Sequence, residues 1–317
     1  MRRQAIAVVV VLGAGGLLGA CGKPSPVGQV EVRPQSPKVG YPEMRELHLA
    51  WQPTAGLDPA DGQPTVFVHL LDGRGQIVRT YDHLFPQAWQ EGTPVPDGVR
   101  IFQSALALPI PPGRYRLTLG LYGNKSGKRW PLDVAGPDLG RHEYQVAEVE
   151  VPPPADHPRL AFEGPWLPSE SGGSRQVVTL RWLDGAGVLK VEGVPGPGTF
   201  WLVLKIPAGN GPGEKLVLED ASNAPSVVVS SHCGGLEASF SGPGSHDVEI
   251  PLDAAPAGGS CEIHLRPNFH LLKAGLPAVR RRSVALENAA WHPGPPGPAA
   301  PAAPTPGSPT APTAPGT

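Results

Sequence analysis

The chain lacks a long apolar run: its most hydrophobic stretch, Ala5 to Leu18, is too short to hold a bilayer as a stable helical anchor. Cysteine is scarce, with only Cys21, Cys233 and Cys261 among 317 residues. No CxxC spacing and no Cys and His cluster frames a zinc site, so no metal is expected. Catalytic fingerprints are missing too: there is no GxSxG elbow, HExxH helix, P-loop or dinucleotide-binding glycine pattern. Charge is modest and nearly balanced, at 26 Lys plus Arg against 28 Asp plus Glu. With no long basic stripe, nucleic acid is excluded as a partner. The local exception, Arg280-Arg281-Arg282, reads first as a solvated strand edge and second as an anion site. No cofactor is implied.

Glycine and proline are what the chain has in excess, 41 and 42 residues respectively. Such a composition can signal disorder. Here these residues punctuate short alternating apolar runs spaced about 8 to 15 residues apart, which is the pattern of an all-β protein. The clearest runs lie between Thr65 and Leu132. Val66, Val68 and Leu70 alternate with Phe67, His69 and Leu71, and Tyr115, Leu117, Leu119 and Leu121 alternate with Arg116, Thr118, Gly120 and Tyr122. Both have the two-residue period of a half-buried strand. Asp72-Gly73-Arg74-Gly75 and Asn124-Lys125-Ser126-Gly127 close hairpins, because Gly, Asn and Asp tolerate the positive φ of tight turns. Between them we expect a turn-rich bridge holding Trp89, Gly92 and Asp97, followed by a strand beginning at Ala105-Leu106-Ala107-Leu108.

The expected organisation is two antiparallel β-sandwiches, Ig-like or jelly-roll-like, ending in a disordered tail. Residues 29–151 form the first, opened by Gln29 to Arg33 and Leu47 to Trp51 and closed by Tyr144 to Val151. Residues 152–160 are a proline-rich linker, since Pro152-Pro153-Pro154 cannot continue a ladder. Residues 161–292 carry a further series of short alternating runs, from Val177 to Ala290, large enough in sum for their own core. Residues 293–317 hold ten prolines among Ala, Gly, Thr and Ser, with no apolar surface to offset the entropy of ordering.

The first residues, 1–20, read as a secretory signal: Arg2-Arg3, an apolar run, then small residues. Leu18-Gly19-Ala20-Cys21 resembles the lipobox of bacterial lipoproteins, which implies cleavage before Cys21 and lipid attachment to it. Two or three acyl chains would hold the protein stably at a membrane. Residues 21–28 are then a spacer reaching at most about 25 Å. Gly22 does not match the aspartate of an inner-membrane retention signal, so in a diderm organism the resemblance points to the outer membrane. In an oxidising compartment Cys233 and Cys261 are expected to pair as a disulfide.

The ordered set Leu47 to Trp51, Val66 to Asp72, Trp89 with Asp97, Pro112 to Leu117, Gly120 to Tyr122 and Arg129 resembles a β-sandwich domain that follows the membrane-spanning part of bacterial glycosyltransferases of the protein-mannosyltransferase and aminoarabinose-transferase type. Phe162 to Trp182 and Ile250 to Val284 resemble, more weakly, a second module that accompanies the same enzymes. The resemblance implies an accessory domain without the catalytic part. It departs from the pattern at His83 to Ala88, where a Pro and Gly-rich segment is expected.

Candidate sites are few. Trp89, with Asp97 or Trp130, suits a small ligand, because an indole face stacks on sugar rings while polar neighbours take the hydroxyls; the competing assignment for such tryptophans is to plug the end of a sandwich. His69, Asp72, Asp82 and His83 are near enough in sequence for an acid and base pair, but alternation sends neighbouring strand residues to opposite faces. Asp58-Pro59-Ala60-Asp61-Gly62 reads as a turn in preference to a calcium loop, and the Asn124-Lys125-Ser126 sequon reads as turn chemistry. The expected function is a lipid-anchored, non-enzymatic binding or accessory module of the cell envelope, with glycans or glycolipids as its ligand class. A scaffolding lipoprotein that binds another envelope protein and a hydrolase with unfamiliar residues are the competing readings.

Overall fold

Alternating strands need a second apolar layer to cover them, and the computed structural model shows how this chain supplies one. It describes residues 24–154, 158–172, 178–193, 196–220, 224–233, 235–252, 259–273 and 281–294. The expected signal, Cys21, the middle of the proline-rich linker, Arg280 and nearly all of the Pro/Ala-rich tail lie outside the described residues. The protein is all-β: among the described residues the only helical element is a 3₁₀ turn at Pro59–Asp61. No helix there is long and apolar enough to cross a membrane.

The N-terminal strands are β1 (Gly28–Arg33), β2 (Met44–Pro53), β3 (Thr65–Leu71), β4 (Ile77–Thr80), β5 (His83–Leu84), β6 (Val95–Phe102), β7 (Gly113–Tyr122), β8 (Arg129–Trp130), β9 (Asp133–Val134) and β10 (Tyr144–Val151). One sheet has the order β6-β2-β1-β9 and the other β10-β7-β3-β4, with β5 on β3 and β8 on β7. All pairings are antiparallel except the short β1–β9 contact. Val30, Leu47, Leu49 and Trp51 of one sheet meet Val66, Val68, Leu117 and Leu119 of the other in a single core.

The C-terminal strands are β11 (Arg159–Glu163), β12 (Glu170–Gly172), β13 (Val178–Trp182), β14 (Gly187–Glu192), β15 (Gly198–Ile206), β16 (Glu214–Leu218), β17 (Ser226–Ser231), β18 (Leu236–Ser241), β19 (Gly244–Leu252), β20 (Ser260–Pro267), β21 (Phe269–Lys273) and β22 (Ala285–Pro293). Sheets ordered β11-β14-β20-β17-β18 and β12-β13-β22-β15-β19 enclose a second core around Leu189, Phe200, Val229, Ile250, Ile263 and Trp291, and β16 pairs with β21. Pro251 is accommodated because β19 is an edge strand. Cys233 and Cys261 are joined as a disulfide, with their Cα atoms 5.8 Å apart.

Four local expectations are corrected. First, β3 is buried on both faces, not half-buried. Its outer residue Phe67 lies across Gly120, where a Cβ would collide with the ring and with the His142 carbonyl, and the Arg129 guanidinium covers that ring at 4.2 Å. Second, Asp97 lies within β6 and not in a loop. Pro96, Asp97 and Gly98 look like turn residues, but the ladder to β2 overrides their local preference. Third, Ala105 to Leu108 form no strand; Ala105 N–H instead donates to Ala289 O of β22 at 2.7 Å. Fourth, β11 begins inside the expected linker, because alternation resumes directly after Pro158 and pairs with β14.

The two sandwiches are in direct contact. Trp291 N–H donates to Pro42 O at 2.7 Å, and Met44, Trp201 and Ala290 form a small apolar cluster with Phe102 packed against it. The register places Gly28 opposite Pro53 at one end of the first sandwich and Met44 opposite Phe102 at the other. The second sandwich therefore sits at the end remote from Gly28.

Candidate functional site: a cleft between the sandwiches

Where β6 ends its sheet, a cleft of about 670 Å³ opens between the two sandwiches. Glu46 with Gly98, Val99, Arg100 and Phe102 forms one wall, Thr80 to His83 another, and Trp201 with Asp247 the third. Alternation along β6 explains the first wall: Val95, Val99 and Ile101 point into the core, leaving Gly98, Arg100 and Phe102 on the outer face. Gly98 has no side chain, and Glu46 lies over it.

Arg100 joins the halves. Its Nη1 lies 3.2 Å from Asp247 Oδ2 and its Nη2 donates to Glu249 Oε1 at 2.6 Å. The guanidinium sits 5.4 Å from the Trp201 ring centroid, and Trp201 Nε1 donates to Asp247 Oδ1 at 2.8 Å. Phe102 packs edge-on to Trp201, with centroids 5.0 Å apart. Glu46, in contrast, has no hydrogen-bond or ion-pair partner among the described residues, so its carboxylate is the uncommitted charge of this wall.

The Thr80 to His83 wall is tied to β6 by side chains. Tyr81 Oη donates to Phe102 O at 3.1 Å, and burial raises the phenol's pKa, keeping it neutral. His83 Nε2 lies 3.0 Å from Asp97 Oδ2, the oxygen that also accepts from Trp51 Nε1 at 3.1 Å. Burial works against a charged imidazole here. The Asp97 carboxylate and the Tyr81 carbonyl outweigh it and hold the His83 pKa above its ordinary value.

A second polar cluster lies on the outer face of the β3–β7 pair. His69 Nδ1 is 3.1 Å from Glu143 Oε1, which also accepts from Thr118 Oγ1 at 2.7 Å, while Arg129 Nη1 donates to Glu143 Oε2 at 3.3 Å. The hydrogen bond to His69 leads in holding the Glu143 pKa down at about 2, with Thr118 and Arg129 assisting against the opposing effect of burial. Asp82 Oδ1 stands 3.8 Å from His69 Nε2 and accepts from Val68 N–H.

The sequence-level candidates are placed as follows. Trp89 packs against Trp51 and Phe85, covers Gly28, and donates from Nε1 to Ala55 O at 2.9 Å. Trp130 is buried in the first core. Asp97 is bound to Trp51 and His83, so Trp89, Asp97 and Trp130 do not assemble one open surface. His69, Asp82 and His83 fall into the two clusters above, while Asp72 accepts from Arg74 and Gln76 N–H groups in its own turn. Asp58 caps the 3₁₀ turn and Asp61 accepts from Ser126 N and Oγ, which ties that turn to the β7–β8 hairpin. Asn124 Nδ2 donates to Gln63 O at 2.7 Å, and its Oδ1 accepts from Thr65. Arg281 lies 3.3 Å from Asp184, and Arg282 donates to Glu170 at 2.5 Å. No group of three metal-ligating side chains occurs among the described residues.

Sequence reasoning missed Glu46, Arg100, Trp201, Asp247 and Glu143 as members of clusters. Arg100 between Val99 and Ile101 is a legible outward position. Its partners on β19 lie nearly half the chain away and carry no local signal.

No family model and no curated protein matches the chain. Among solved structures, the native conformation of E. coli alpha-2-macroglobulin, determined by cryo-EM, is similar at 14% identity and a TM-score of 0.22. The match covers 86% of this chain and 15% of that one, so the chain spans a small part of that protein's length.

Proposed function

We propose that the protein is a non-enzymatic binding module of the bacterial cell envelope, lipid-anchored through Cys21, whose ligand occupies the cleft between the sandwiches. The observation that carries this reading is the cleft itself: a large concavity at a domain junction, edged by aromatic rings and carboxylates and held in shape by the Arg100 contacts. Envelope glycans or glycolipids are the ligand class to which the glycosyltransferase-associated resemblance points. A partner protein is the second reading, favoured by the open edge of β6.

The tether supports a role away from the bilayer surface. Seven residues of β2 separate Pro53, opposite Gly28, from Glu46 in the cleft. At roughly 3.4 Å per residue the cleft stands about 24 Å beyond the start of β1. Two measurements test the proposal. A fatty-acid probe should label the wild type and leave Cys21→Ser unlabelled. Purified protein should bind a member of an envelope-glycan array or an envelope protein, with binding weakened by Glu46→Lys. Equal labelling of both forms overturns the anchor, and turnover of a bound glycan overturns the non-enzymatic assignment.

A further inference from the structure

The open edge of β6 can be read residue by residue. Gln103 N–H donates to Glu43 O at 2.8 Å, which extends the β6–β2 register by one hydrogen-bonded pair. In an antiparallel ladder such pairs recur at every second residue. Ile101, Val99, Asp97 and Val95 therefore direct their backbone groups to β2, and Phe102, Arg100, Gly98 and Pro96 direct theirs away from it. Pro96 fits this assignment, since its missing N–H falls on the open side. Two of the outward groups are occupied: Phe102 O accepts from Tyr81 Oη, and Gly98 N–H donates to Asp97 Oδ1 at 2.8 Å. Arg100 N–H, Arg100 C=O and Gly98 C=O have no partner among the described residues, and both residues line the cleft.

We propose that the cleft takes an extended, basic polypeptide segment of a partner protein, which adds a strand to β6. This rests on the binding-module reading and names its ligand. One donor flanked by two acceptors, with the carbonyls about 6.8 Å apart at roughly 3.4 Å per residue, is the pattern offered by half of a β-ladder. It matches the alternating amide groups of another strand, which is how edge addition gives affinity. Gly98 adds no side chain of its own beside the incoming chain, and the Glu46 carboxylate lies over it. Charge selects the side chain. Arg100 is committed to Asp247 and Glu249, whereas Glu46 is free, so a Lys or Arg is favoured where the incoming strand passes Gly98, over which the Glu46 carboxylate lies.

The test is selection of a random peptide display library on the full mature chain, with an envelope-glycan array run in parallel. The expected result is enrichment of basic, alternating peptides that shift the Arg100 amide resonance and lose about tenfold or more in affinity on N-methylation of the central amide and, separately, against Glu46→Lys. Selected peptides that tolerate N-methylation, or that bind Glu46→Lys as well as wild type, overturn strand addition. Glycan binding that shifts the same resonances, with no peptide selected, overturns the polypeptide ligand while leaving the binding module standing. Failure of both screens overturns both.

Discussion

Replacing Arg100 by Met keeps an apolar stem against Trp201 and removes only the charge. Asp247 and Glu249, the two carboxylates it meets, are 56% and 54% exposed, so each pair contributes little, about 0.2–1 kcal/mol. The contact with the Trp201 face adds about 0.5–1 kcal/mol, because the Arg100 side chain keeps part of its hydration although the ring is buried. Together these give an expected loss of about 1–3 kcal/mol, concentrated in the contact between the sandwiches. At 1 M salt the screening length falls to about 3 Å, so the ion-pair share should fade and the cation–π share should remain. Equilibrium urea unfolding followed by tryptophan fluorescence, at low and at high salt, measures both. A loss below about 0.5 kcal/mol at low salt, the range of an ordinary surface substitution, would refute the assignment of Arg100 as the joining residue. An equal loss at both salt concentrations would refute the ion-pair share.

Glu143→Gln should cost about 1–2 kcal/mol at neutral pH, a value reduced from the full linkage figure because the carboxylate is only partly shielded from water. Its pKa is lowered from 4.5 to about 2, so the stabilisation is fully present above 4.5 and is lost as pH falls from there towards 2; acid titration of stability should be flatter in the variant, and superimposable curves would exclude this role. Breaking the Cys233–Cys261 bond, which joins residues 28 apart, should cost roughly 3.5 kcal/mol through the freed loop, read from thermal unfolding of Cys233→Ser together with Cys261→Ser. Non-reducing peptide mapping should find the two cysteines linked, and two freely alkylated thiols would contradict the pairing.

The strands themselves are written locally. The alternation of Gly28–Arg33, Gly113–Tyr122 and Tyr144–Val151 and the Gly, Asn and Asp turns of the chain determine all-β structure, since a two-residue period can bury one face only as a strand. The cysteine pair was legible by count, because Cys233 and Cys261 are the two cysteines besides the expected lipidation site Cys21. What the linear order could not decide is which faces meet. Trp130 looks like a loop residue and is a core residue, because β8 folds back on β7. Pro96-Asp97-Gly98 looks like a turn and is an edge strand, because β2 supplies a ladder that outweighs local preference. His69 acquires its acid from Glu143, 74 residues on, and Arg100 acquires its acids from β19, 149 residues away in the case of Glu249. Alternation records only inside against outside. The identity of the neighbour across a cleft is set by sheet order and by the packing of one sandwich on the other, and these long-range contacts leave no period in the chain.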